Sequence, residues 1–388
     1  MTQFASVYCH GTGSFFPNEP VDNERIEDVL GRIGGEPSRA RRKILKSNGI
    51  RSRHYAIDPE TKQPSHSNTQ LTAEAVRNLV ATYGLDLDAL DLIACGTTTP
   101  DQLMPNQASM LHGELGCAPC EVVATSGACL AGLTSWKYAA LSVAGGAKHA
   151  LATGSELTSA VMRAQSFPDG ETPVEKLQED PIFAFGQDFL RWMLSDAAGA
   201  VWLTDAPHPD RLSLRLDWID TVSFANELET CMYWGAKKQD DGSMRGWLQA
   251  ETVDQALASG MMNFTQDARL LGRQVGPSLL SRGLRTVLER NPVRAEEIDW
   301  FLPHYSSEYF RQEVYDRFRG EGFEIPFERW AANLTTRGNV GSAAIYVMLD
   351  ELLRSGELQP GQRIFGLVPE SARFSVGYLL MTVVEPEG

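Results

Sequence analysis

The amino-acid sequence predicts an α/β fold built from two similar halves. Short apolar or β-branched runs alternate with stretches of helical periodicity, as expected of strands covered by helices. The alternation occurs twice, in similar order. Between the two series lies a cluster rich in turn residues, Asp205-Ala-Pro-His-Pro-Asp210. The halves are therefore read as 1–205 and 206–388.

In the first half, strands are expected near Val7–Phe16, Leu92–Gly96, Val122–Ala124, Ala150–Gly154 and Ala198–Thr204. In the second they are expected near Leu212–Trp218, Trp300–Pro303, Ala331–Asn333, Ile364–Val368 and Gly377–Val384. Apolar residues at helical spacing predict helices that include Thr72–Tyr83, Ala131–Ala144, Gly276–Arg290 and Ala343–Leu353. Two segments break the rhythm. One, about 157–194, contains Phe167-Pro-Asp-Gly and Phe183-Ala-Phe-Gly; the other, about 224–262, carries Met232, Trp234, Met244, Trp247, Met261 and Met262. Ordinary cap packing and the adaptable lining of an apolar tunnel both fit them.

Composition narrows the function. With 43% hydrophobic and 22% charged residues, the chain has an ordinary globular balance. No apolar run is long enough to span a bilayer, and Met1-Thr-Gln-Phe-Ala-Ser lacks the basic start of a signal peptide. A cytoplasmic protein is expected. Six scattered cysteines are too few for a disulfide framework. Cys117-Ala-Pro-Cys120 has no second pair, so it reads as a loop coincidence and no metal site is expected. A net charge of −15 argues against a nucleic-acid surface. Positive charge is local: Arg39, Arg41, Arg42, Lys43 and Lys46 crowd one segment, and Arg269, Arg273, Arg282 and Arg285 fall on an expected helix. A solvated helical face and a dock for an acidic partner both fit such clusters.

Cys129 carries the first chemical signal. It follows Glu121-Val-Val-Ala-Thr-Ser-Gly-Ala and precedes a long apolar stretch, so it stands at a strand-to-helix junction. The helix dipole and the free amides of a helix start favour a thiolate and an oxyanion there. A buried structural cysteine fits the position equally well. Two later motifs shift the balance toward a nucleophile. Trp300-Phe-Leu-Pro-His304 ends an apolar run on a histidine, and Arg337-Gly-Asn339-Val-Gly-Ser-Ala opens a helix with an asparagine. Sites of α/β folds form at such junctions.

With Asn48-Gly-Ile-Arg-Ser-Arg-His54, Ser195-Asp-Ala-Ala-Gly-Ala200 and Ser371-Ala-Arg-Phe-Ser-Val-Gly377 added, the chain resembles the β-ketoacyl-acyl-carrier-protein synthase III family over nearly its full length. That resemblance implies a thiolase-like fold, two βαβ-rich halves in αβαβα layers. It implies Claisen condensation of acyl thioesters, with Cys129, His304 and Asn339 as catalytic residues. The oxyanion hole would use the backbone N–H of Cys129 and Ala372. It further implies acyl carrier protein as partner and a homodimer whose loop Pro100-Asp-Gln-Leu-Met-Pro105 carries the channel residue Met104 toward the neighbouring subunit. No cofactor is implied, since the phosphopantetheine arm arrives with the substrate; no nucleic acid or membrane is involved.

Departures from the family pattern refine this reading. Lys43 and Ser47 stand where a Trp and an Arg would clamp coenzyme A, which favours carrier-borne donors. Pro369-Glu-Ser-Ala-Arg-Phe374 replaces a glycine-rich loop. Glu370, Arg373 and Phe374, with Trp234 and Met104, are expected at the substrate, and Arg41, Arg42, Lys46, Arg269 and Arg273 at the carrier. Pro37-Ser-Arg-Ala-Arg-Arg and Thr335-Thr-Arg-Gly-Asn look similar to ketosynthases that make dialkylcyclohexanediones and dialkylresorcinols. Rival readings are acyl transfer to an alcohol or amine, a priming synthase, a Cys-His-Asn hydrolase, and a non-catalytic partner subunit.

Overall fold

The computed structural model describes residues 6–38, 41–167 and 187–386. Arg39 and residues 168–186, including Phe183-Ala-Phe-Gly, lie outside the described residues. The first half contributes β1 (Tyr8–Phe15), β2 (Leu92–Thr97), β3 (Glu121–Ser126), β4 (His149–Glu156) and β5 (Ala197–Thr204). The second contributes β6 (Ser213–Ser223), β7 (Trp300–Pro303), β8 (Arg363–Glu370) and β9 (Ser375–Val384). All join one nine-stranded sheet in the order β7-β8-β9-β6-β1-β5-β4-β2-β3. The halves meet where β1 pairs antiparallel with β6, Tyr8 opposite Arg215 and Cys9 opposite Leu214. The expected boundary at 205 falls in the connection between β5 and β6.

Helices cover and fill this sheet. We label α1 (Arg41–Asn48), α2 (Asn68–Tyr83), α3 (Gln107–Leu115), α4 (Leu130–Ala144) and α5 (Ala344–Ser355). A full capping box, Ser67 with Gln70, starts α2, and left-handed Gly84 ends it. α2 lies on β1 and β5, outside the first half. α4 contacts β2 and β4 on one side and β8 and β9 on the other; α5 likewise touches strands of both halves. Both are the central layer, hence apolar around most of their circumference. This is the expected αβαβα arrangement.

Close approach needs glycine at the centre. A Cβ on Gly132 of α4 would stand 2.0 Å from the Ser342 carbonyl oxygen, and one on Gly154 of β4 would stand 2.3 Å from the same atom. The absent side chains let the start of α4 sit against the turn that follows Asn339.

One expected strand is not formed. Ala331–Asn333 lies in no strand; beside it Trp330 bridges to Phe301, parallel, supported by Ala331 N–H to the Phe301 carbonyl at 2.8 Å. The flanking residues commit their backbone elsewhere. Trp330 N–H bonds Phe327 in a 3₁₀ turn, and the Asn333 carbonyl accepts from Thr336 and Arg337 as the next helix begins.

Candidate active site

β3 delivers Cys129 to the first turn of α4, where its backbone is already helical (φ −54°, ψ −28°). β7 ends at Pro303, and its extension holds His304 through His304 N–H to the Leu367 carbonyl at 2.9 Å. Cys129 and His304 open onto one cavity of about 50 Å³. Its apolar walls include Leu279, Leu280, Phe310 and Val314. Leu279 and Leu280 belong to a π-helical turn, Val275–Arg282, inside the long helix running from Ala268 to Arg290. Such turns displace side chains from α-helical register. The sequence reading marked this helix only for its periodicity and its arginines; the apolar stripe was visible, but its target was not.

Asn339 is buried, and its geometry is tightly set. Its N–H bonds the Met193 carbonyl and its carbonyl accepts from Ser195 N–H, both at 2.9 Å. Its side-chain oxygen accepts from Gly341 N–H at 3.0 Å. That fixes which end of the amide points away: among the described residues Nδ2 bonds only the soft sulfur of Met193, at 3.9 Å, and keeps donor capacity. Asn339 does not line the cavity shared by Cys129 and His304. Gly338 precedes it at φ +73°, where a Cβ would meet the Ser195 Cβ at 2.8 Å.

Charge at Cys129 differs from the sequence expectation. The helix start was expected to favour the thiolate. Instead the Cys129 thiol is pushed well up, first by burial, then by the carboxylates of Glu370 and Glu156. Glu370 Oε2 accepts from Ala128 N–H at 2.9 Å and Leu130 N–H at 3.0 Å. An internal anion thus occupies the positive end of α4. Glu156 is fully buried and accepts from Thr98, Thr99 and both donors of Ser342. Burial raises both carboxyls above their ordinary range. Burial lowers the His304 imidazole to about 4, so it is neutral at neutral pH.

The remaining expected residues scatter. Ala372 lies in the turn between β8 and β9, its carbonyl held by Cys231 N–H at 2.8 Å and Met232 N–H at 3.2 Å. Phe374 is fully buried at φ +57°. Arg373 is exposed and donates to the Leu228 carbonyl at 3.4 Å. Among the described residues no ion pair joins it to Glu370. Trp234 stacks on Phe264 with centroids 5.1 Å apart and bonds the Met262 carbonyl; it does not line the Cys129 cavity. Met104 is 85% exposed, as is its neighbour Leu103 at 79%. Asp101 anchors their loop by accepting from Asn68 and Thr69 N–H at the start of α2.

Among the basic residues, Arg41 is tied to Glu24 and Glu27, so it serves the fold rather than an open surface. Arg42 and Lys46 are exposed on α1, and Arg269 and Arg273 on the long helix. Arg282 and Arg285 are paired with Glu227 and Glu321. The end of α1 touches the cavity wall region: Ser307 Oγ donates to the Ser47 carbonyl at 3.3 Å, near Tyr305, Ser306 and Phe310. Asp196, of the Ser195-Asp-Ala-Ala-Gly motif, is buried and accepts from Ala56 N–H at 2.7 Å, from Ser159 and from Thr158. It knits loops together and does not reach the cavity.

Known proteins share this fold. Residues 288–372 match the family model for the C-terminal region of 3-oxoacyl-[acyl-carrier-protein (ACP)] synthase III. The fold is similar to that of a tetronic acid condensing enzyme, with TM-score 0.74 and 19% identity over 97% of this chain and 99% of that one. Synthase III from Aquifex aeolicus VF5 matches at TM-score 0.69 and 19% identity, covering 97% and 99% of the two chains. Xanthomonas campestris OleA, solved with bound lauric acid and lauroyl-CoA, matches at TM-score 0.71 and 17% identity over 98% and 99%. The fold is thiolase-like, and over residues 288–372 the chain is similar to β-ketoacyl-acyl-carrier-protein synthase III. Among the described residues, no helix is long and apolar enough to cross a membrane.

Proposed function

We propose that the chain is a ketosynthase that joins two acyl thioesters by Claisen condensation through an acyl-Cys129 intermediate. The observation that carries this is the apolar cavity onto which both Cys129 and His304 open. Cys129 Sγ bonds the thioester carbonyl carbon, the incoming C–S bond breaks, and the departing thiol takes a proton. The Cys129 N–H and Ala372 N–H are the oxyanion donors of this reading. The α-carbon of a second thioester then gives up a proton and attacks the acyl carbonyl; the new C–C bond forms, the acyl C–S bond to Cys129 breaks, and the released Cys129 thiolate takes up a proton. His304, neutral by burial, donates a hydrogen bond to that thioester's carbonyl without carrying charge. Asn339 supplies the second donor through Nδ2.

The finer reading is a pair of fatty-acyl-derived thioesters, one of them a β-ketoacyl thioester, joined toward a dialkylcyclohexanedione or dialkylresorcinol. It is supported by the polar replacement of the C-terminal loop, where Glu370 lies beside the nucleophile. Acyl carrier protein is the proposed donor, docking on Arg42 and Lys46 next to the cavity wall. A homodimer is supported by the exposed Leu103 and Met104 and by β3, an edge strand with only β2 as its neighbour. Acyl transfer to an alcohol or amine is the second reading. Asn339 lies outside the cavity wall, and such a transfer needs no second carbonyl donor.

The test is mass spectrometry of the chain with an acyl thioester and a β-ketoacyl-carrier protein. Condensation gives an acyl adduct on Cys129 and a longer β-keto product. Free acid alone, or an ester or amide alone, overturns the proposal.

A further inference from the structure

Cys117 and Cys120 do not stand alone in the fold. α3 ends at Leu115, and Gly116 takes a left-handed conformation (φ 65°, ψ 24°) that reverses the chain. The Cys117-Ala-Pro-Cys120 turn therefore folds back on the last turn of α3, where His112 sits. A ring nitrogen of His112 and the two sulfurs all lie within 4.8 Å of one another. The expectation of a loop coincidence rested on the missing second pair, and the helix that leads into the turn supplies a third donor five positions before Cys117.

The surroundings hold these donors in place. His112 Nε2 lies 3.1 Å from the Ala118 carbonyl and 3.3 Å from that of Cys117, which orients the ring. Asp88 accepts from Ala118 N–H at 2.8 Å and so fixes the turn between the cysteines. Asp91 accepts Glu121 N–H through its carbonyl at 2.9 Å, fixing the residue after Cys120. The carboxylates of Asp88 and Asp91 add negative potential at the Cys117 and Cys120 sulfurs. All three donors are half-buried, open to an entering ion yet partly shielded from water.

We infer that His112, Cys117 and Cys120 form a three-ligand site for a zinc-class divalent cation. Tetrahedral bonds of about 2.3 Å to sulfur and 2.0–2.1 Å to nitrogen need donors roughly 3.4–3.8 Å apart, within reach by side-chain rotation. Soft thiolates with one imidazole select zinc over magnesium or calcium. Binding releases both thiol protons to solvent and leaves two thiolates to balance the ion's charge. The fourth position is open to water. The ion would clamp the end of α3 to the start of β3, the strand that delivers Cys129.

The probe is Co²⁺ added to the full-length chain after reduction and metal stripping. One ion per chain is expected, with visible bands of tetrahedral cobalt and a thiolate-to-cobalt charge-transfer band that zinc abolishes. Zinc should also raise the melting temperature. Cys120→Ser and His112→Ala should each weaken binding by at least about tenfold, the loss typical of even outer-shell partners. Cys129→Ser should leave the cobalt spectrum unchanged, which makes this outcome independent of the condensation proposal. An octahedral spectrum without the charge-transfer band overturns the site, as does binding indifferent to Cys120→Ser. A Cys117–Cys120 disulfide in the freshly purified chain also overturns it, in favour of a redox pair.

Discussion

Glu370 accepts a hydrogen bond from the Leu130 amide at 3.0 Å, across 240 positions of sequence. The Ala128 amide bonds the same oxygen at 2.9 Å. The carboxylate therefore sits on both flanks of Cys129, at the end of α4 whose dipole would otherwise favour a thiolate. Glu370→Gln removes that charge, so the Cys129 pKa should fall. A fall of one unit gives about tenfold more thiolate at a fixed pH below the pKa. Iodoacetamide labelling of Cys129, followed by mass spectrometry at pH 8, should be faster in the variant. An unchanged rate would show that the carboxyl does not hold the thiol.

The two half-reactions should separate. On the proposed mechanism His304→Ala and Asn339→Ala each remove a donor to the second thioester, a loss of about 3–4 kcal/mol by analogy with an oxyanion-hole donor. Acyl loading on Cys129 should persist while condensation drops by roughly a hundredfold or more. Cys129→Ala should abolish both. If His304→Ala loads acyl groups as poorly as Cys129→Ala, the histidine serves the thiol instead.

Burial of His304 also has a stability signature. Its imidazole is held at about 4 against an ordinary 6.5. Below pH 6.5 the unfolded chain takes up a proton that the folded chain refuses. The stability present at pH 7 is therefore lost as the pH falls toward 4, by about 2 kcal/mol at pH 5. Urea denaturation of the parent and of His304→Asn at pH 7 and pH 5 isolates this term, since other histidines are common to both. Equal pH losses in the two chains would refute it.

Arg42→Glu combined with Lys46→Glu should slow turnover with carrier-protein donors and flatten its salt dependence. Small pantetheine thioesters should be turned over nearly as before. Arg41 is left intact because Glu24 and Glu27 use it. A loss shared by both donor types would mean that α1 plays no docking role.

Glycine at the centre of the fold is testable by its Cβ. Gly132→Ala drives a methyl to 2.0 Å from the Ser342 carbonyl oxygen, and should cost about 3 kcal/mol or more. Gly113, on α3, has nothing within 4 Å of its Cβ position, so Gly113→Ala should instead stabilise by about 0.5–1 kcal/mol. Urea midpoints of the two variants check both signs at once.

The sequence alone determined most strands, the central helices and the placement of Cys129, His304 and Asn339 at element ends. Those features are written in short-range signals: alternation, helical spacing, and glycines or prolines at junctions. Ala331–Asn333 marks the limit, because neighbouring turns took the backbone groups a strand would have used. Tertiary structure alone decided what surrounds the thiol. Leu279 and Leu280 line the Cys129 cavity from a helix read for its periodicity and its arginines. Trp234 turned to Phe264 instead, and Arg41 went to two glutamates. Glu370 reversed the electrostatic expectation at Cys129. These outcomes depend on which groups long-range packing brings within a few ångströms. Charge, desolvation and ligation act over those distances, whereas sequence periodicity reports only on neighbours within a turn or a pleat.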